Sequence, residues 1–473
     1  MKKYLYITLS GFLLIGACKK SELDLYPYNQ VETTQAFNTQ ADVTLAVNGM
    51  YYGIRASSSY YNGTWNIVAD VLSDNLLTNK AGRGSLLSYN QWMLNGSNTY
   101  LLFSGGYTMT RRANAILENI DKFSAGTFRD NAKGEALAIR GMTYFDMARV
   151  YAKTYQNAIA TDSVLPYITT TDATIMPSKE PVKGFYDKVL NDLNTALPLI
   201  NASNGTGRLN KAAVAGLLSR VNLYKGDYDA VINAANTALG ASPVLPDAST
   251  FPKIWTDETE SGVLFKVYNT AVDNVNTQGV NYYQVSGGEI KSEFVVEYNF
   301  MQIFKTTDIR TSAYIKTAPY LGSMYNDVIK YAGGKGKPAG VCDAKVLRTA
   351  EVLLNRAEAY YRKGDETDAL ADLNLLKKNR YSDYAPVTMS GQTLLTEILK
   401  ERRLELAFEG DRFWDMKRQN VPVHRDPTKG DKADGSGTPY VYTNLEVGDY
   451  RFQLPYPQTE LNFNNNLKQN PGY

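Results

Sequence analysis

Residues 217–230 read LLSRVNLYKGDYDA, and residues 357–370 read AEAYYRKGDETDAL. Each stretch runs from a helix-forming segment through a Gly-Asp pair into a second helix-forming segment. A Gly after the last turn of a helix readily takes the left-handed conformation that ends it. The Asp that follows is a favoured cap for the next helix, because its carboxylate accepts hydrogen bonds from the first turn. The two stretches therefore predict two helical hairpins, with small Ala residues at their close crossings.

These hairpins resemble the tetratricopeptide helix-turn-helix, whose repeat is about 34 residues. The Gly residues of the two turns, Gly226 and Gly364, are 138 positions apart, which is about four such periods. The sequence between them does not keep the period, so the array is interrupted. We predict an all-α fold in which tetratricopeptide-like helix pairs form a superhelical frame with long irregular loop insertions.

Helical spacing of apolar residues extends this frame in both directions. The predicted helices are 42–55, 107–120, 131–151, 181–200, 211–224, 228–239, 345–362, 365–379 and 392–408. The clearest strand-like run is Val263-Leu264-Phe265-Lys266-Val267. Segments 56–100 and 241–340 are rich in Gly, Asn, Ser and Tyr and poor in helix pattern, and 424–437 reads as a surface loop. Ligand contacts usually lie on such loops when a rigid frame holds them.

Composition excludes several classes of protein. The chain has 473 residues, 50 Lys and Arg, 48 Asp and Glu, one His and two Cys. A nearly neutral chain without a basic cluster is not typical of a nucleic-acid-binding protein. One His and two Cys exclude multi-histidine metal sites and zinc sites built from four Cys or from paired Cys and His. We therefore expect no metal and no cofactor.

The N-terminus has the pattern of an export signal. Lys2 and Lys3 precede an uncharged stretch, residues 4–17, which is too short for a membrane span of about 20 residues. It ends in Leu14-Ile15-Gly16-Ala17-Cys18, which resembles a bacterial lipobox. We predict a signal peptide at 1–17 and lipidation of Cys18, which would tether the chain to a membrane through its acyl chains. The alternative is an ordinary signal peptide cleaved nearby.

Tyrosine is unusually frequent, with 35 Tyr against 16 Phe. Because a buried Tyr hydroxyl needs a partner, this excess suggests partly exposed rings, which could stack on the C–H faces of sugars. Ordinary packing is the alternative for each of these residues. The candidate ligand-binding residues in the loop segments are Asp74, Asn75, Arg83, Trp92, Asn95, Tyr282, Tyr283 and Tyr320.

Segment 401–418 mixes acids, arginines and aromatics. Glu405 and Glu409 lie one helical turn apart and could form an acid/base pair. The interpretation that we favour is structural, because acids and arginines at this spacing form ion pairs and Arg binds carboxylates with two parallel hydrogen bonds.

Several motifs in order along the chain resemble one family. They are NGMY at 48–51, EALAIRGMTYFDMARVY at 135–151, RTAEVLLNRAEAY at 348–360 and QNPGY at 469–473, together with the lipobox and segment 401–418. These look like the SusD/RagB outer-membrane nutrient-binding lipoproteins.

The resemblance implies an all-α binding protein without catalytic activity. It implies a SusD-like helical part at 18–240, an irregular ligand-facing insertion at 241–344 and a SusD/RagB helical part at 345–473. Such a protein would bind a glycan on the cell exterior and deliver it to a SusC-like TonB-dependent outer-membrane transporter. Three alternatives remain open: a peptide-binding member of the family, an all-α glycosidase, and a lipid-anchored scaffold without a small ligand.

Overall fold

The computed structural model describes residues 36–56, 59–99, 101–240, 244–272 and 277–473. The predicted signal peptide and Cys18 lie outside these residues, so both stay predictions. In the described part of the chain, no helix combines the length and the apolar character that a bilayer-spanning segment needs.

The frame is helical, and each predicted helix is present. The helices are α1 (Gln40–Ala56), α2 (Trp65–Leu72), α3 (Leu87–Asn90), α4 (Phe103–Ile120), α5 (Thr127–Tyr151), α6 (Val182–Leu199), α7 (Lys211–Lys225), α8 (Tyr228–Leu239), α9 (Phe251–Trp255), α10 (Thr277–Tyr282), α11 (Tyr298–Met301), α12 (Ile309–Tyr314), α13 (Thr349–Arg362), α14 (Glu366–Lys378), α15 (Gly391–Glu405), α16 (Arg412–Gln419) and α17 (Gln458–Phe463).

Both predicted hairpins have the expected turn chemistry. Gly226 (φ 82°) and Gly364 (φ 84°) take the left-handed conformation. The Asp227 side chain accepts a hydrogen bond from the Ala230 backbone N–H at 3.2 Å, and Asp365 caps α14 in the same way. The helices of each hairpin pack together, and α13 also packs against α7 and α8. The hairpins are therefore confirmed, whereas a tetratricopeptide-type superhelix stays a prediction.

The expectation of an all-α fold is wrong in the segments between the helices, where short strands form. They are β1 (Leu76–Thr78), β2 (Ser163–Val164), β3 (Glu180–Pro181), β4 (Val263–Val267), β5 (Gln284–Ser286), β6 (Glu289–Lys291), β7 (Phe294–Val296), β8 (Ile315–Tyr320), β9 (Ser323–Val328), β10 (Ala344–Arg348), β11 (Val423–His424) and β12 (Asn444–Leu445). The largest sheet has four strands in the order β1-β7-β9-β8.

The predicted strand at Val263–Val267 is confirmed. The strand that pairs with it explains why the helix predicted from residue 345 begins later. Residues 344–348 form β10, antiparallel to β4, so the helix predicted from residue 345 begins at Thr349 instead. All five residues of β10 are buried. A short apolar run is ambiguous between strand and buried helix when periodicity is the only guide.

The acids and arginines of segment 401–418 form buried ion pairs, as the interpretation that we favoured predicts. The Glu405 carboxylate accepts hydrogen bonds from Arg380 at 2.9 and 3.0 Å and from Arg348 at 2.7 Å. Burial alone would raise the pKa of Glu405, yet these guanidinium groups hold it well below its usual value. Glu409 is bound by Arg348 and Lys330 in turn. An acid/base pair is contradicted, because these cations occupy both carboxylates.

Many Tyr rings that we expected at the surface are in the core. Tyr60 and Tyr61 are buried, and both donate to one oxygen of the buried Asp146, at 2.7 and 2.8 Å. At this site the interior provides the acceptor that a buried Tyr hydroxyl needs. An excess of Tyr over Phe therefore reflects a polar core here as well as a wet surface.

Candidate functional site

Four loop segments meet at one face, which we call the loop face: residues 74–85, 283–296, 315–328 and 426–442. Strands β1 and β7 pair across it. The backbone N–H of Leu321, at the tip of the β8–β9 hairpin, donates to Glu289 at 3.1 Å. The backbone N–H of Ala433 donates to the Met324 carbonyl at 3.0 Å. Backbone contacts thus join segments that are far apart in sequence.

Aromatic and aliphatic side chains cover one face of the four-stranded sheet. Leu77, Val295, Tyr320 and Tyr325 form a small apolar cluster beneath Tyr440. The Tyr440 hydroxyl donates to the Leu76 carbonyl at 2.9 Å, which ties the C-terminal loop to β1. Tyr320, a predicted ligand contact, is only 8% exposed, so its ring supports the loop face from below.

Asp74 and Asn75 anchor the first loop to the helical frame. Arg412 donates to both oxygens of Asp74, at 2.9 and 3.1 Å, and Arg403 donates to the Asn75 amide oxygen at 2.9 Å. Burial opposes ionisation of Asp74, but Arg403 and Arg412 hold its pKa well below the usual value. Both predicted residues are thus placed beside the loop face, with their polar atoms used internally.

Trp92 was predicted to contact ligand, but it is 4% exposed. Its indole N–H donates to the Leu72 carbonyl at 2.9 Å. The Arg425 guanidinium lies between Trp92 and Tyr440, 4.0 and 4.3 Å from the two ring centroids. The Trp92 ring is therefore part of a buried stack and is not free to bind a sugar.

Arg425 is a structural residue that sequence reasoning missed. It donates to the backbone carbonyls of Val71, Leu72 and Ser73, where α2 ends. These carbonyls lack helical partners, and burial lowers the pKa of Arg425 to about 10. The prediction of a surface loop at 424–437 is wrong at Arg425 and at Asp431, both of which are buried. The carbonyls at the end of α2 that Arg425 binds, and the Lys80 backbone N–H that donates to Asp431, lie more than 300 positions away, so no local signal marks this burial.

Tyr282 is also interior, with its ring stacked on Tyr331 at a centroid distance of 5.7 Å. Asn95 is exposed, but it lies in a turn whose Gly96 contacts Gln458 at the C-terminal end. The structure thus brings Asp74, Asn75, Arg83, Tyr283 and Tyr320 to the loop face. It does not add Trp92, Tyr282 or Asn95 as exposed contacts there.

The side chains that reach solvent from the loop face include Arg83, Tyr283, Leu321 and Met324. Arg83 is 52% exposed and donates to Glu293 at 3.0 Å. Tyr283 is half-buried, and Leu321 and Met324 are 72% and 46% exposed. Leu321 is left-handed (φ 48°), which is unusual for Leu and marks a strained, exposed position. Gly322 between two β-rich runs is a general turn signal, but the Leu before it is not a residue that a two-residue hairpin turn favours.

One carboxylate of the same sheet is left without a partner. Asp327 on β9 is 1% exposed, and neither of its oxygens has a hydrogen bond. Burial raises its pKa to about 8, with a small opposing effect of Lys316, the cross-strand neighbour.

Within the described ranges, no group of three or more His, Cys, Asp or Glu side chains is placed to hold a metal ion.

Comparisons with known proteins agree with this architecture. Residues 272–473 match the SusD family, and residues 23–223 match a family described as starch-binding and associating with the outer membrane. A SusD-like protein of Formosa agariphila, P38, is 25% identical over 89% of this chain and 93% of its own. The starch-binding protein SusD of Bacteroides thetaiotaomicron is 31% identical over 28% of this chain and 22% of its own.

Solved structures extend the likeness to the fold. A SusD superfamily protein of Bacteroides vulgatus has a TM-score of 0.82 at 25% identity, covering 92% of this chain and 100% of its own. One from Bacteroides thetaiotaomicron has a TM-score of 0.80 at 25% identity, with the same coverage. With two family matches that together span most of the sequence, the chain belongs to the SusD/RagB family of proteins associated with the outer membrane.

Proposed function

We propose that this protein binds a glycan at the cell exterior and delivers it to a SusC-like TonB-dependent outer-membrane transporter, anchored through a lipid on Cys18. The observation that carries the proposal is the loop face, where solvent-exposed apolar and polar side chains stand on a rigid, ring-lined sheet. The starch-binding description of one matching family and the name of the relative SusD support a carbohydrate ligand.

The chemistry of the loop face fits a sugar. Tyr283 offers a half-buried ring and Arg83 a guanidinium that is oriented by Glu293. Leu321 and Met324 add apolar surface at the hairpin tip. A saccharide presents C–H faces beside hydroxyls, so a face that offers both a ring and a fixed polar group matches both kinds of surface. Asp74, Asn75 and Tyr320 would support these contacts from behind.

The role is binding and not catalysis in this proposal. Among the acids that could form glycosidase pairs, Glu258 binds Lys335, Glu260 binds Lys266, and Asp411 and Asp415 bind buried arginines. A glycosidase would need two carboxylates facing one cleft, and these acids instead serve ion pairs.

The proposal is tested by a glycan array and a peptide library, both applied to the mature chain. We expect binding of an oligosaccharide in the micromolar range, about −8 kcal/mol or weaker, and weakening of about tenfold in Tyr283→Ala and Arg83→Ala. Binding to peptides alone would favour the peptide-binding alternative. Co-purification of a transporter with no ligand-dependent stabilisation would favour the scaffold alternative.

A further inference from the structure

A second groove lies beside α1, away from the loop face. Its walls are the C-terminal half of α1, the loop 204–208, and β4 with the residues that flank it. We call it the α1 groove. Its volume is about 690 Å³, which falls within the ~300–1,000 Å³ typical of small-molecule sites. None of its lining residues belongs to the loop face.

Four aromatic residues line this groove, and two of them are well exposed. Tyr52 and Tyr268 are 51% and 47% exposed. In the described part of the chain, few aromatic side chains are as exposed as these two, and most other rings are packed inside. Half-exposed rings in one concave surface are unlike the buried Trp92 and Tyr282, because about half of each side chain is open to solvent.

The Tyr268 ring is held in one orientation by three contacts. Its hydroxyl donates to Glu260 at 3.1 Å, and the Lys266 ammonium lies 4.3 Å from its centroid. The ring also lies against the backbone of Gly207, where an added Cβ would come within 1.9 Å of a ring carbon. A ring that is already fixed loses little conformational entropy when a ligand binds.

The charges of the groove wall are already paired. Arg208 donates to both oxygens of Glu135, at 2.8 and 2.7 Å. Lys266 binds Glu260 at 2.7 Å and Asp343 at 2.9 Å. A strongly charged ligand would therefore have to compete with these internal ion pairs, whereas a neutral one can use their remaining hydrogen-bonding capacity.

Polar groups complete the surface around the rings. Asn48 on α1 is exposed and lines the groove. Arg55 stacks on Tyr52 at 5.0 Å from the ring centroid. The Asn48 amide has two N–H donors and one oxygen acceptor. Aromatic rings nearby can bind C–H groups. Together they suit a ligand whose ring carries both hydroxyls and exposed C–H groups.

We propose that the α1 groove is a second saccharide site, which binds a neutral oligosaccharide through Tyr52 and Tyr268. This inference rests on the proposed glycan-binding function and adds a site that is independent of the loop face. Two separate sites would let one chain hold a long polysaccharide at two points, so that avidity exceeds the affinity of either site.

Gly207→Ala provides a sharp test, since the new Cβ must displace the Tyr268 ring while every ligand-contacting side chain is kept. Gly184→Ala is the matched control, because a Cβ there meets nothing within 4 Å. The mature chain is first screened on an array of neutral α- and β-glucans, mannans, xylans and galactans. The best-bound oligosaccharide is then titrated by calorimetry into wild type, both Gly variants, Tyr52→Ala and the loop-face variant Tyr283→Ala.

We expect two sites per chain in wild type and in Gly184→Ala. Gly207→Ala and Tyr52→Ala should each weaken one site about tenfold, while Tyr283→Ala weakens the other. If Gly207→Ala lowers the melting temperature, its weaker binding could come from lost stability, and the affinity of Tyr52→Ala then decides whether the groove binds the oligosaccharide. The contrary outcome is a wild type with a single site, which Tyr283→Ala weakens and both groove variants leave unchanged. That result would overturn the second site but keep the proposed function. No binding of any glycan by wild type overturns both.

Discussion

Replacement of Asp327 by Asn should remove a loss of stability that the wild type undergoes as the pH rises from 5 to 7. The Asp327 carboxylate is buried without a hydrogen-bond partner, and burial raises its pKa from 3.8 to about 8. Folded chains therefore hold a proton on this group up to about pH 8, while unfolded chains release it near pH 4. Its contribution to stability is fully present below about pH 4 and is lost as the pH rises towards 8.

The magnitude follows from the same pKa shift. Between the two pKa values, unfolding releases about one proton, so stability falls by about 1.4 kcal/mol per pH unit. From pH 5 to pH 7 the wild type should lose about 3 kcal/mol relative to Asp327→Asn, which cannot ionise. The other buried acids are present in both proteins, so their contributions cancel in the difference.

The assay is urea unfolding of wild type and Asp327→Asn at pH 5, 6 and 7, followed by comparison of the free energies of unfolding. Asp426→Asn is the control, because Asp426 accepts hydrogen bonds from Thr428 and its pKa is lowered to about 2. We expect no slope for the control over this range. A pH-independent difference between wild type and Asp327→Asn would show that Asp327 is ionised in the folded protein, and the reasoning would be refuted.

Three further predictions concern the free energy of unfolding. Trp92→Ala should lower the free energy of unfolding by about 3–5 kcal/mol because the ring is buried, whereas Tyr283→Ala should leave it within about 1 kcal/mol; equal losses in urea unfolding would contradict this assignment. Glu405→Gln should cost about 3–5 kcal/mol because it leaves buried arginines without a counter-charge, and an unchanged urea midpoint would disprove that dependence. Gly364→Ala should cost about 1–2 kcal/mol because of its left-handed backbone, while Gly184→Ala, in a helix, should not destabilise; a stable Gly364→Ala in thermal unfolding would rule out the strain.

The helical frame could be predicted because its signals are local. Apolar periodicity located the helices, and the Gly-Asp pairs at 226 and 364 marked the hairpin turns. The strand at Val263–Val267 was also readable, since it is a short run rich in β-branched and aromatic residues. By contrast, β10 looked like the start of a helix, because only its pairing with β4 distinguishes the two conformations.

The loop face was predictable only in part. Arg83 and Tyr283 lie in segments rich in Gly, Asn and Ser, and both do reach the surface there. Trp92 lies in the same kind of sequence, yet its ring is buried by Arg425 from a loop more than 300 residues later. Burial of a loop residue depends on which distant segment packs over it, and a single sequence does not contain that information.

The position of Arg425 explains how a surface of loops can be rigid. One guanidinium satisfies the carbonyls at the end of α2 and fills the space between Trp92 and Tyr440. Tyr440 then holds the sheet beneath the hairpin tip through the Leu76 carbonyl. Because these buried groups fix the backbone, exposed residues such as Leu321 can change without loss of the fold. Ligand preference on the loop face should therefore depend on a few tip residues, and the rings below them should matter mainly for stability.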